Sequence, residues 1–98
     1  MTKDLNESVL AEAERIIYGD REKTYGKPSK NLETIAKMWN AYLVASGVAT
    51  EGGGILIGKD VAVMMVLLKA ARLGNDLDHR DSVVDICGYA ALIERCDE

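Results

Sequence analysis

The hydrophobic residues of this 98-residue chain recur three and four positions apart along most of its length, which is the spacing of an amphipathic α-helix. Outside residues 54–57, no region alternates apolar and polar side chains with the two-residue period of a strand. The length is that of one domain. We therefore predict an all-α fold, a small four-helix domain that spans residues 1–98. The first helix is predicted at Leu5 to Tyr18, the second from Pro28 to near Gly47, and the third at Val61 to Leu73. The fourth follows the link Asn75 to Arg80 and ends at about Arg95.

Residues with special backbone preferences mark the ends of these helices. Gly19 is predicted to stop the first helix, and Pro28 suits the first turn of the second because a proline there gives up no hydrogen bond. Asp60 can cap the third helix, and Gly74 ends it. The third helix is apolar almost all round, so we predict that it is the central one.

The segment from Gly52 to Gly58 lies between the second and third helices. Its glycines surround the apolar run Ile55 to Ile57, so we predict a short Gly-rich flap or strand. The letters from Gly53 to Lys59 read G-x-x-x-x-G-K, but Asp60 stands where a phosphate-binding P-loop needs Ser or Thr, and we reject that interpretation. An apolar tip of this kind is expected to pack on a neighbouring subunit or a ligand. We predict a homo-oligomer, most simply a symmetric dimer.

Composition narrows the class of function. With 12 basic and 16 acidic side chains the formal charge is −4, which argues against broad, sequence-independent nucleic-acid binding. The longest apolar stretch, Val61 to Leu68, is too short to cross a bilayer, and no secretory signal opens the chain. We therefore expect a cytoplasmic protein with no membrane partner.

The polar stretch from Gly19 to Pro28 carries the most candidate chemistry and is predicted to be a loop. It offers Arg21 and Lys27 to phosphates and Tyr25 to stack on a base. Each of these side chains also fits an ordinary polar turn. Their combination favours an anionic ligand that carries a base.

Four charged residues on the third and fourth helices are predicted to meet. Lys69 and Arg72 lie on the otherwise apolar third helix, where cations need acidic partners, and Asp81 and Asp85 lie one turn apart on the fourth. The cluster is either a structural ion-pair network or the polar floor of an anion site, and the sequence leaves both open. Gly88 costs about 1 kcal/mol inside a helix, which indicates a close approach by another backbone or a ligand.

Four motifs make the chain similar to a family of small uncharacterised phage and prophage proteins. They are G-D-R-x-x-x-Y-G-x-P at Gly19 to Pro28, D-V-A-x-M-M at Asp60 to Met65, K-x-x-R-L at Lys69 to Leu73, and H-x-D-S-x-x-D-x-x-G-Y-A at His79 to Ala90. The Y-G, K-x-x-R and D-x-x-x-D-x-x-x-Y pieces also resemble the phage nucleotide-modification-associated domain. A third similarity, to MazG-like all-α nucleotide pyrophosphatases, implies magnesium held by carboxylates from two helices.

These residues and resemblances support one preferred hypothesis and two alternatives. The preferred function is binding of a nucleotide or nucleotide-derived small molecule in the cytoplasm of a bacterial host. Its candidate ligand-binding residues are Arg21, Tyr25, Lys27, Lys69, Arg72 and His79. The first alternative is a magnesium-dependent nucleoside triphosphate pyrophosphohydrolase, whose candidate Mg²⁺ ligands are Asp81, Asp85 and Glu33. The second is a protein-interaction module that docks on a host protein. Whether the protein is an enzyme, and whether it uses magnesium, stays open.

Overall fold

A computed structural model describes residues 7–53 and 55–97. These residues form helices and turns and contain no strand, which confirms the predicted all-α fold. The α-helices are α1 (Val9–Arg15), α2 (Arg21–Tyr25), α3 (Pro28–Ala45), α4 (Gly58–Asn75) and α5 (Arg80–Arg95), and a π-helical turn, Ile16–Asp20, joins α1 to α2. Because α1, the π turn and α2 follow one another without a break, the described part of the chain has four helical segments, as predicted.

The first helical segment is longer than predicted. Gly19 lies inside the π turn instead of ending the helix, which continues to Tyr25. The predicted loop before Pro28 is therefore mostly helical, and both predictions are wrong. A glycine in a helix costs only about 1 kcal/mol, and contact with α5 opposes that cost. Ile17 of the π turn is buried, and a Cβ on Gly88 would lie 3.2 Å from its Cγ2, so Gly88 marks a close approach by a side chain and not, as predicted, by a backbone or a ligand. The predicted start of this helix lies outside the described residues.

The second helical segment, α3, supplies much of the core. It begins at Pro28, as predicted, and Leu32 and Ala36 are fully buried on its inner face. The side chains that pack into one hydrophobic cluster come from the π turn and from α3, α4 and α5: Ile17, Leu32, Ala36, Val61, Ala62 and Leu92. No helix within the described ranges is both long enough and apolar enough to cross a membrane.

The start of α4 is fixed by contact with α3. The helix begins at Gly58, and Asp60, the predicted cap, lies inside its first turn, where Oδ2 accepts the Ile57 N–H at 2.8 Å. The Gly58 N–H donates to Glu33 Oε2 on α3 at 2.9 Å, and a Cβ on Gly58 would lie 3.0 Å from that oxygen. Glu33 therefore partners a free N–H at the beginning of α4, and glycine leaves room for it.

The third predicted helix, α4, packs between α3 and α5, but it is not enclosed. It runs antiparallel to α5, as salt bridges at both ends show: Lys59 Nζ lies 2.8 Å from Asp97 Oδ2, and Lys69 Nζ lies 3.0 Å from Asp85 Oδ2. The outer face of α4 is open and apolar. The side chains that are 40–63% exposed on this face are Val63, Met64, Leu67 and Leu68.

The segment between α3 and α4 is held against the domain by hydrogen bonds with Asn40 and by the packing of Leu56. Asn40 donates from Nδ2 to the Leu56 carbonyl at 2.9 Å and accepts the Leu56 N–H at Oδ1 at 3.0 Å. Leu56 packs against the hydrophobic cluster, while Ile55 and Ile57 stay exposed. The apolar tip is thus divided, and the packing of its two isoleucines on a neighbouring subunit or ligand stays a prediction.

Candidate ligand site

Arg21 lies between two tyrosines on different helices. Its guanidinium carbon is 4.9 Å from the ring centre of Tyr25 in α2 and 5.1 Å from that of Tyr89 in α5. Its Nη2 donates to Asn31 Oδ1 on α3 at 3.1 Å. Cations at this distance from aromatic faces are attracted to the ring quadrupole. Three side chains from three helices therefore hold this guanidinium in place.

A cavity of about 220 Å³ lies beside this cluster, between the first helical segment and α5. Its polar lining consists of Arg21, Asp85 and Tyr89. The rest of its wall is formed by Ala13, Ile16, Ile17, Val84, Gly88 and Leu92. Pockets that bury a whole drug-sized ligand measure about 300–1,000 Å³, so this one has room for a single ring or small group.

The carboxylate on the cavity wall has a cationic partner on α4. Lys69 Nζ lies 3.0 Å from Asp85 Oδ2, and the lysine side chain is only 13% exposed. Two members of the predicted four-residue charged cluster are therefore paired. Because the lysine compensates Asp85, the polar side of the cavity is not dominated by negative charge.

The six predicted ligand-binding residues fall into separate groups. Arg21 and Tyr25 lie together, and Tyr25 ends a helix instead of sitting in a loop. Lys69 reaches the same cavity only through Asp85, whereas Lys27 is exposed at the residue that precedes α3.

The remaining two candidates lie at the turn from α4 to α5. Arg72 and His79 line a shallow depression there, with Asn75 and Asp76. His79 caps α5: its Nδ1 accepts the Ser82 N–H at 3.3 Å and lies 2.6 Å from Ser82 Oγ. A capping role accounts for His79 without a ligand.

The candidate magnesium ligands do not form a group. Glu33 accepts a backbone N–H at the start of α4, Asp85 pairs with Lys69, and Asp81 lies in the first turn of α5. Among residues 7–53 and 55–97, no three His, Cys, Asp or Glu side chains stand close enough to hold a metal ion. The carboxylates in this structure therefore do not fit a magnesium cage of the MazG-like kind.

Two arginines of α5, the buried Arg95 and the half-buried Arg80, bind the first helical segment to α5, and sequence reasoning did not single them out. Arg95 donates to the Ile17 carbonyl at 3.0 Å and to Glu22 Oε1 at 3.1 Å. At the other end of α5, Arg80 Nε donates to the buried carboxylate of Glu12 at 3.1 Å. Tyr89 and Asn31 were missed as partners of Arg21. The spacing of Tyr89, one turn after Asp85, is the signal that places both on one face of α5.

Fold and site together define a small all-α domain with a tyrosine-flanked arginine beside a small cavity of mixed polar and apolar lining. The chain belongs to the family described as a domain of unknown function, DUF6378, which matches residues 8–97. It is also similar to the Gene 55 proteins of two mycobacteriophages, which confirms the resemblance to a phage protein family.

The two phage relatives are considerably longer than this chain. The Gene 55 protein of Mycobacterium phage D29 is 39% identical over 94 residues, which are 96% of this chain and 56% of the relative. That of Mycobacterium phage L5 is 44% identical over 88 residues, which are 90% of this chain and 51% of the relative. The chain thus spans about half the length of the curated relatives it matches. No solved structure matches it.

Proposed function

We propose that this domain binds a nucleotide or nucleotide-derived molecule at Arg21, between α2 and α5. The main support is the position of the Arg21 guanidinium, which contacts the rings of both Tyr25 and Tyr89. Arg21 and Tyr89 also line the cavity. Arginine matches the geometry of phosphate oxygens, and tyrosine offers a flat apolar face to a base. A molecule that carries both a phosphate and a ring satisfies the two chemistries at once.

The charges suggest how such a ligand lies. The cavity has room for a single ring, so the ring enters it and the negatively charged phosphates stay outside, on the cationic Arg21. The Asp85 carboxylate pairs with Lys69 through Oδ2, and a carboxylate has further lone pairs that can accept a hydrogen bond from an amino or N–H group of the ring. Lys27, two residues beyond Tyr25 and exposed, adds positive charge for the phosphates. In this arrangement Arg72 and His79 do not contact the ligand.

Co-purified ligand provides the first test. The protein is purified, heated to release bound small molecules, and the supernatant is analysed by mass spectrometry. We expect a nucleotide or a derivative of one. Titration of the emptied protein with purine and pyrimidine nucleotides then measures which ring is preferred.

A pair of charge-matched variants tests the site itself. Arg21→Ala is expected to abolish binding, because it removes the cation that meets the phosphates. Lys23→Ala removes the same charge from the same helix, but Lys23 is exposed, forms no side-chain hydrogen bond or ion pair with the described residues and does not line the cavity, so binding is expected to persist. Equal binding by both variants would overturn this site.

We also propose that the domain works in the bacterial host cytoplasm and self-associates through its apolar face, formed by α3 and α4. The similarity to mycobacteriophage proteins supports the first point. A groove of about 320 Å³ beside the exposed Leu67 and Leu68 supports the second, because monomers rarely expose large apolar patches. The groove is lined by Trp39, Tyr42, Leu43, Leu56 and Met64. The same face favours the second candidate function, docking on a host protein.

A further inference from the structure

The π turn decides which residue of the first helical segment faces the cavity. An α-helix has about 3.6 residues per turn, so an unbroken helix would bring position 20 onto the face of Ala13, two turns earlier. In the structure Ala13 and Arg21 line the cavity, and Asp20 is exposed and does not line it. The π turn has therefore delayed the helix by one residue. Because of this delay the guanidinium of Arg21, and not the carboxylate of Asp20, lines the cavity. The side chain at this point of the cavity wall is therefore positively charged instead of negatively charged.

A buried arginine at the C-terminal end of α5 contacts this turn. Arg95 is 6% exposed, and its Nη1 donates to the carbonyl of Ile17 within the π turn at 3.0 Å. Its Nη2 donates to Glu22 Oε1 at 3.1 Å, and its guanidinium lies 4.3 Å from the ring centre of Tyr18. A side-chain donor inserted at a helix carbonyl is a known cause of departure from the α-helical ladder. These three contacts all lie in or next to the π turn.

We infer that Arg95 is a positioning residue that selects the π register and thereby sets Arg21, in place of Asp20, at the cavity. π-helical turns are rare and are found mostly as single turns at functional sites. Here the Arg95 side chain, which comes from α5, donates a hydrogen bond to the π turn. Arg95 would lose its hydrogen-bond partners if the segment adopted the register of an unbroken α-helix. The consequence for ligand binding rests on the proposed function, whereas the choice of register does not.

Nuclear magnetic resonance tests the register directly, without a ligand. In the parent protein the Arg21 guanidinium faces two tyrosine rings, so the side-chain protons of Arg21 are expected to be shifted upfield by the ring currents. The Arg21 N–H bonds to the Ile16 carbonyl five residues earlier. Arg95→Met keeps a side chain of similar length but removes every donor. We expect it to lose the upfield shifts of Arg21 and this five-residue hydrogen bond.

Two control variants separate register from general weakening. Glu22→Gln removes the charge pair but leaves the Ile17 bond of Arg95, so the Arg21 shifts are expected to remain. Val61→Ala weakens the core at a fully buried position on α4, and the shifts are again expected to remain. Retention of the Arg21 shifts in Arg95→Met, with a melting temperature lowered as in Val61→Ala, would show a merely structural role and overturn the inference.

A milder variant covers the case in which Arg95→Met does not fold. Arg95→Lys keeps the positive charge, but a single ammonium does not reproduce the arginine fork that reaches both the carbonyl and the carboxylate. We expect reduced upfield shifts of Arg21, and unchanged shifts would overturn the inference. If the shifts respond as expected but the parent protein binds no nucleotide, the register assignment stands and the proposed function fails.

Discussion

Asn40 and Leu56 are joined by two hydrogen bonds, in which the asparagine amide meets both polar groups of one backbone residue. The asparagine amide thus satisfies the N–H and the carbonyl of Leu56, as the backbone of a neighbouring strand does in a β-sheet. Asn40→Ala leaves the N–H and carbonyl of Leu56 without these partners. Both bonds are partly buried, and a typical hydrogen bond contributes about 0.5–1.5 kcal/mol, so we expect a loss of stability in chemical denaturation. Asn75→Ala, at an exposed residue that ends α4, serves as the control and is expected to unfold as the parent does.

Two glycines of α4 are predicted to respond to alanine with opposite signs. A Cβ at Gly58 would lie 3.0 Å from Glu33 Oε2 and 3.3 Å from Leu32 Cβ, so Gly58→Ala forces α4 away from α3. Overpacking of this kind costs about 1–3 kcal/mol. At Gly74 nothing lies within 4 Å of the added atom, and alanine is favoured in a helix by about 1 kcal/mol. Thermal melts of the two variants should therefore move down and up, respectively. A fall for both would mean that Gly74 has a role its surroundings do not reveal.

Lys69 and Arg72 are predicted to contribute differently to stability although both are cations of α4. Lys69→Ala leaves Asp85 without its ion-pair partner in a half-buried position, so we expect a loss of about 1–2 kcal/mol, between the values for exposed and buried pairs. Arg72 is exposed and makes no ion pair with the described residues, so Arg72→Ala should stay within about 0.5 kcal/mol of the parent. Urea titrations of both variants measure the difference. A steep loss for Arg72→Ala would contradict the assigned geometry.

Cys96 is predicted to be a slow thiol. Burial raises its pKa, so a smaller fraction is thiolate at neutral pH than for a free cysteine, and the thiolate is the reactive form. Alkylation of the folded protein by iodoacetamide at pH 7 should therefore be slower at Cys96 than in the denatured chain. The rate should rise as the pH is raised toward the elevated pKa. Peptide mass spectrometry over a time course measures this, and equal folded and unfolded rates would contradict it.

What the sequence predicted well follows from the preferences of single residues and from the pairing of opposite charges. Pro28 at the start of α3 and the closeness of Gly88 to a neighbour follow from backbone preferences of single residues. The pairing of Lys69 with Asp85 follows from the need of a cation on an apolar helix for an acidic partner.

What the sequence did not predict depends on contacts between residues far apart in the chain. Arg95, which donates a hydrogen bond to the π turn, lies 78 residues beyond Ile17 in the chain. No local sequence pattern predicts that a helix will be delayed by one residue. Gly19 was misread for the same reason, because tertiary packing overrides its weak preference against helix. The hydrogen bonds between Asn40 and Leu56 likewise join residues 16 positions apart. Sequence reasoning thus singled out Arg21 and Tyr25 as candidates but did not predict the helical register that places Arg21 at the cavity.

The last prediction concerns the apolar face, the exposed side of α3 and α4. We expect light scattering to show self-association of the parent protein, because burying Leu67 and Leu68 in a second copy removes apolar surface from water at about 25 cal/mol per Å². Leu67→Lys puts a charge in that contact and should shift the protein toward the monomer without loss of helical circular dichroism. Leu77→Lys makes the same change at a side chain that is 81% exposed in the turn before α5, and it should leave the association unchanged. A parent protein that stays monomeric at all concentrations would contradict self-association and leave docking on a host protein as the use of this face.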